Sequence, residues 1–168
     1  LPHFEKLGLS EEEYIIMNNG CSTYETKNWN LLQYESLSRS EMEELLQACE
    51  GFPEVALTFT GEKTYYVVGD EVPELVAYDA STVFTEAKAR SLEEIFVEGQ
   101  VIFQAMYMAD SEPLDAFQNA VQDRLSQSYS TVRSQDYIFE IMPQGATKAS
   151  GLKHLAEKLG IAPDQIMA

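Results

Sequence analysis

The stretch that decides the fold is YIFEIMPQGATKASGLKHLAEKLGIAPDQIMA, residues 137–168. Its first six residues are mostly apolar and β-prone, which predicts a buried strand at 137–142. Pro143 and Gly145 then end the strand, because proline cannot donate a ladder hydrogen bond and glycine favours turns. The stretch therefore begins with a strand and a sharp break.

A helix is predicted after that break. Leucine and alanine residues recur there at helical spacing, so that one apolar stripe faces a core, and Thr147 is suited to cap the first turn. Gly160 is typical of a helix end, since glycine readily adopts the left-handed conformation that follows a last turn. Residues 166–168, Ile-Met-Ala, predict the beginning of a further strand.

Lys148 is the most informative residue of the predicted helix. It stands in the first turn, where the helix dipole is positive and disfavours a cation by about 0.3–1 kcal/mol. A lysine beside the free backbone N–H groups of a helix start makes an anion site. The alternative is a solvated lysine on a polar first turn, and the spacing alone leaves both interpretations open.

The order of these segments resembles the third motif region of haloacid-dehalogenase-like phosphatases, and most closely their Cof-type sugar-phosphatase group. The likeness rests on Glu-Ile-Met-Pro (140–143), Thr-Lys-Ala-Ser-Gly-Leu (147–152), Leu-Gly-Ile (159–161) and Asp-Gln-Ile-Met-Ala (164–168). In that family a lysine opens such a helix, so the resemblance implies that Lys148 is catalytic and contacts the transferring phosphoryl group. Ala149 departs from the pattern, because a glycine often follows the lysine.

The resemblance also implies chemistry that this sequence does not contain. The family's reaction needs an aspartate nucleophile in an Asp-x-Asp-Gly-Thr loop, which forms an aspartyl-phosphate, and magnesium held by acidic residues. No such loop occurs among the 168 residues. We therefore expect a fragment of a magnesium-dependent phosphatase. By itself it should be inactive and should bind no magnesium.

A second place where the resemblance is informative is the strand predicted at 14–17, which ends in Asn-Asn-Gly. Asn-Gly is a turn signal, and a plain tight connection is the alternative. In the family such a strand leads through a hairpin, here expected at 21–25 and 31–37, into a cap domain. The resemblance implies that Asn19 and Gly20 form a hinge and bind the substrate phosphate together with Lys148.

The middle of the chain predicts the inserted cap domain itself. Residues 38–68 and 111–142 each read helix–strand–strand, and two such α-β-β units favour an α+β fold, an antiparallel sheet with helices on one face. Residues 81–90 lack periodicity and are expected to be irregular. The expected division is a partial core strip at 1–20, an α/β cap at 21–142, and a partial core strip with the lysine motif at 143–168. The two strips should be incomplete pieces of a Rossmann-like core, each with a parallel-type strand.

Four aromatic residues on predicted strands have two open interpretations. Tyr65, Tyr66, Phe103 and Tyr107 fit the lining of a substrate pocket, since caps in this family contribute specificity, and they also fit ordinary sheet packing. The pattern favours packing.

The charge excludes two classes of partner. The 11 basic and 28 acidic residues give a formal net charge of −17, which repels nucleic acid and anionic membranes. No apolar run approaches the roughly 20 residues that span a bilayer. We expect a cytoplasmic protein whose partner is a small phosphorylated metabolite, a sugar or cofactor phosphate. The rival interpretation is a non-catalytic acidic α/β module that binds a ligand or a protein.

Overall fold

The computed structural model describes Lys6, Gly8 and residues 13–167. Two compact units divide the chain, one formed by residues 1–35 with 145–168 and the other by residues 36–144. These boundaries differ from the sequence-based ones at 20 and 142, chiefly because the first hairpin belongs to the unit that contains both ends of the chain.

The described residues form nine strands and five helices. The strands are β1 (Tyr14–Met17), β2 (Ser22–Glu25), β3 (Asn30–Tyr34), β4 (Ala56–Gly61), β5 (Thr64–Val68), β6 (Glu86–Arg90), β7 (Ile102–Met108), β8 (Tyr129–Gln135) and β9 (Ile138–Pro143). The helices are α1 (Arg39–Ala48), α2 (Glu74–Thr82), α3 (Leu92–Glu98), α4 (Ser111–Leu125) and α5 (Lys148–Leu159). Within this described part, each helix is too short or too polar to cross a bilayer.

The unit 36–144 is built on one six-stranded sheet with the order β6-β5-β4-β7-β9-β8. Both predicted α-β-β units are present, as α1-β4-β5 and α4-β8-β9. The expectation of a purely antiparallel sheet is wrong, because β6 pairs with β5 in parallel. Residues 81–90 were expected to be irregular, and Glu-Ala-Lys-Ala-Arg at 86–90 lacks the β-branched and aromatic residues that are typical of strands. This edge strand was therefore not predicted.

The sequence predicted helices on one face of this sheet, but in the structure helices pack on both faces. Successive strand residues point to opposite faces, so each face has its own cluster. On the first face, Leu57, Phe59 and Phe139 pack with apolar residues of α1, α3 and α4. On the second face, Val76 of α2 packs in a smaller cluster that also holds the following residues: Val67, Met106, Met108 and Ile138.

Tyr107 connects the sheet to α1. Its side chain is fully buried, and its hydroxyl donates a 2.8 Å hydrogen bond to the backbone carbonyl of Leu45 near the end of that helix. Its ring lies 4.4 Å from that of Phe117, centroid to centroid. Tyr66 and Phe103 are also fully buried. These three aromatic residues therefore pack in the sheet, as the pattern favoured.

The substitution Tyr107→Phe tests this connection. It removes one hydroxyl and leaves a buried carbonyl without its partner, so we expect the free energy of unfolding to fall by about 1–2 kcal/mol. Urea denaturation followed by circular dichroism measures the change. Tyr78→Phe is the matched control, because Tyr78 is 62% exposed and should change stability by less than about 0.5 kcal/mol. Equal effects of the two substitutions would contradict the account.

The other unit carries a three-stranded antiparallel sheet with the order β1-β2-β3. The predicted hairpin is present as β2 and β3. The expectation of a parallel-type strand at 14–17 is wrong, because β1 pairs antiparallel with β2, with Tyr14 opposite Glu25 and Met17 opposite Ser22. The reason is local: the chain reverses in only four residues between the two strands.

The helix α5 completes this unit, and it lies where residues 148–159 predicted it. Gly160 follows it with φ +69°, the left-handed conformation expected of the helix end. The strand expected at 166–168 is not seen in its described part. A short 3₁₀ turn at Pro163–Gln165 precedes Ile166 and Met167, and these two residues belong to no strand.

Candidate anion-binding site

The turn between β1 and β2 is made of three consecutive left-handed residues. Asn18, Asn19 and Gly20 have φ values of +52°, +55° and +99°. Asparagine is among the few non-glycine residues that adopt this conformation readily. The turn is closed by a 3.0 Å hydrogen bond from the Cys21 N–H to the Asn18 carbonyl, and the Asn18 amide donates to the Ser22 hydroxyl at 2.9 Å. The backbone at this turn is therefore fixed by local contacts.

The start of α5 is fixed in a similar way. Thr147 is the N-cap, as predicted: its Oγ1 accepts a 3.0 Å hydrogen bond from the Ser150 N–H. In return the Ser150 hydroxyl accepts a 2.8 Å hydrogen bond from the Thr147 N–H. Lys148 is the first residue of the helix. Its N–H and that of Ala149 have no hydrogen-bond partner among the residues that the structure describes.

Gly20 brings the turn and the helix start into direct backbone contact. A Cβ atom on Gly20 would lie 2.0 Å from the carbonyl oxygen of Thr147 and 3.1 Å from the backbone nitrogen of Lys148. Gly151, one turn into the helix, completes the contact, since a Cβ there would lie 2.9 Å from the Gly20 Cα. Both positions have room for glycine alone.

Sequence reasoning missed Gly151. The signal was available, because a glycine inside a helix costs about 1 kcal/mol relative to alanine and so calls for a packing reason. The three residues that the sequence singled out, Asn19, Gly20 and Lys148, all lie in the same unit. Two of them, Gly20 and Lys148, adjoin through their backbones. Their chemical roles stay predictions.

The electrostatics of this helix start favour an anion. The Lys148 side chain is exposed and forms no ion pair with a described residue. The ammonium group, the positive end of the helix dipole and the unpaired N–H groups all attract negative charge. In a chain with a net charge of −17, this is a local cationic spot within a repulsive field.

A second property of this part of the molecule is its set of possible metal ligands. Magnesium is held by carboxylate oxygens in near-octahedral geometry. Across residues 13–167, no group of three or more histidine, cysteine, aspartate or glutamate residues is placed to hold a metal.

Comparison with known proteins defines the class. The family model described as haloacid dehalogenase-like hydrolase matches residues 1–168. The chain belongs to this family, and the resemblance seen in the sequence is confirmed.

Individual relatives agree with this class. YxeH of Bacillus subtilis, a candidate phosphatase, is 22% identical over 166 residues, which are 98% of this chain and 61% of that protein. A haloacid dehalogenase-like hydrolase from Bacteroides thetaiotaomicron shares the fold with a TM-score of 0.80 and 17% identity, over 98% of this chain and 61% of the other. A subclass IIB sugar phosphatase gives a TM-score of 0.70 and 16% identity, over 98% and 59%. The chain thus spans about three fifths of the length of these proteins.

The substitution Gly20→Ala tests the contact between the turn and the helix start. The new methyl group meets the Thr147 carbonyl, and alanine is strained at a φ of +99°. We expect a loss of about 2–5 kcal/mol in the free energy of unfolding, the sum of overpacking and left-handed strain, measured by urea denaturation.

Gly160→Ala is the control for backbone strain alone. Gly160 also has a positive φ, +69°, but its Cβ position has no atom within 4 Å. We expect a loss of about 1–2 kcal/mol there. If the two substitutions destabilise the protein equally, the close contact at Gly20 adds nothing and this description of the site is wrong.

Proposed function

We propose that this chain is part of a phosphatase that hydrolyses small phosphorylated metabolites, and that its Lys148 and the start of α5 bind the phosphoryl group. Membership of a hydrolase family supports the reaction class. The name of the sugar phosphatase that shares the fold supports a sugar phosphate as the substrate. A cytoplasmic location stays a prediction.

The observation that carries the proposal is the placement of Lys148 as the first residue of a capped helix. The ammonium group and two unpaired N–H groups belong to adjacent residues, 148 and 149, at the positive end of the helix. A phosphoryl group in transfer spreads negative charge over its oxygens, and fixed donors stabilise that charge without reorganising. Asn19 and Gly20 would complete the phosphate site from the adjacent turn.

The remaining catalytic groups are proposed to lie outside this chain. The family implies an aspartate nucleophile and a magnesium ion, and the sequence contains no Asp-x-Asp-Gly-Thr loop. The chain also spans only 61% of YxeH, which leaves room for both elsewhere in the complete protein. We infer that residues 1–168 alone do not hydrolyse phosphate esters, and that the unit 36–144 is the cap domain.

The substitution Lys148→Ala in the complete protein tests the proposal. Removing one fixed donor to the transferring group should lower kcat by about 10²–10³-fold. Lys148→Arg should retain part of the activity, because it keeps the positive charge with a different donor geometry. Steady-state release of inorganic phosphate from a hexose phosphate measures both.

Lys153→Ala is the matched control. Lys153 is an exposed lysine on the same helix whose ion pair with Glu157 spans 3.9 Å, so its removal should leave kcat within about twofold of the original protein. Near-normal turnover without Lys148 would refute its proposed role. A complete protein that hydrolyses no phosphate ester, but binds a ligand or protein, would favour the non-catalytic alternative.

A further inference from the structure

Gly151 occupies a buried position one turn into α5, where the helix itself gains nothing from a glycine. Glycine is among the poorest helix formers, because it loses the most backbone freedom on folding. The backbone of Gly151 is that of an ordinary helical residue and not left-handed. The reason for a glycine here must therefore lie in its contacts.

Three atoms from the beginning of the chain surround the place where a side chain of Gly151 would stand. A Cβ atom there would lie 2.9 Å from the Gly20 Cα, 3.0 Å from the Gly20 carbonyl oxygen and 3.0 Å from the Ile16 Cγ2. Two of these are backbone atoms, which cannot rotate away as the end of a flexible side chain can. An alanine at 151 would have to push the turn and the helix apart by about half an ångström to reach an ordinary van der Waals distance.

The backbone of Gly151 also holds the start of the helix. Its N–H donates a 3.0 Å hydrogen bond to the Thr147 carbonyl, which closes the first turn of α5. The Ser150 hydroxyl donates to the same carbonyl at 2.9 Å. This carbonyl oxygen is the atom that a Cβ on Gly20 would meet. The closely packed backbones of the turn and the helix start therefore both depend on Gly151.

The two surfaces that meet at Gly151 are the two halves of the proposed phosphate site. The turn carries Asn19 and Gly20, and the helix start carries Lys148 with the backbone N–H groups of residues 148 and 149. Both halves belong to the same compact unit. Groups that bind one phosphate must keep a fixed spacing, and a displacement of about 1 Å can cost about 10²-fold in rate.

We propose that Gly151 is a positioning residue of the phosphate site: its lack of a side chain sets the spacing between the Asn19–Gly20 turn and the helix start that carries Lys148. This inference rests on the proposed function, since it concerns the geometry of the site that would bind the phosphoryl group. Gly151 acts through the residues on either side of it, without touching the phosphate itself.

The substitution Gly151→Ala in the complete protein tests the inference. Alanine is the better helix former, which offsets part of the cost of overpacking, so Tm should change by no more than about 4 °C. The inhibition constant of orthophosphate, as a competitive inhibitor of hexose phosphate hydrolysis, should rise about tenfold, and kcat/KM should fall about ten- to hundredfold. A purely structural role would lower only the folded fraction, which leaves KM and the inhibition constant unchanged.

Gly61→Ala is the matched control. A Cβ on Gly61 would also lie 2.9 Å from its nearest neighbour, the Tyr66 Cε2, and its φ lies outside the left-handed region, so this position too is overpacked without being strained. Gly61 belongs to β4 in the other unit, and its substitution should leave the inhibition constant of orthophosphate unchanged.

Three results would count against the inference. An unchanged inhibition constant in Gly151→Ala, or an equal rise in both variants, would overturn it, although the proposed function stands as long as the hexose phosphate is hydrolysed. A Gly151→Ala variant that does not fold would also overturn it, because Gly151 would then be needed for the fold as a whole. If the original complete protein hydrolyses no phosphate ester, the proposed function fails and this inference fails with it.

Discussion

The backbone contact between Gly20 and the Thr147 carbonyl is the constraint on which the site depends. It joins a turn from the beginning of the chain to a helix from its end, across more than 120 residues of sequence. Three left-handed residues on one side and a reciprocal cap on the other hold both partners rigid. The position of Lys148 relative to the turn is therefore set by backbone, which varies less than side-chain conformation.

The two faces of the six-stranded sheet carry apolar clusters of different size. The first face packs against three helices and supplies the larger apolar core of its unit. The second face carries a smaller apolar cluster that includes Val76 of α2, and it also buries the polar residues Thr60, Gln104 and Glu140.

Local signals in the sequence predicted most of these elements. The period of the apolar residues located α5, and Thr147 and Gly160 marked its limits. Long-range pairing was not visible: β6 is recognised as a strand only through its parallel partner β5, and the antiparallel pairing of β1 follows from the sharp turn after it. For Lys148, spacing alone left both an anion site and a solvated lysine open and leaned toward the second, whereas the family resemblance favoured the first. The close approach at Gly151 was missed, since it depends on a residue that is distant in sequence.

The central claim is that the start of α5 binds phosphoryl oxygens. Titration of the complete ¹⁵N-labelled protein with orthophosphate, followed by amide chemical shifts, tests it most directly. The account predicts saturable shifts of the Lys148 and Ala149 amide signals that disappear in the Lys148→Ala variant. If those two amides stay unshifted at saturating phosphate while others respond, the anion site lies elsewhere and the account is contradicted.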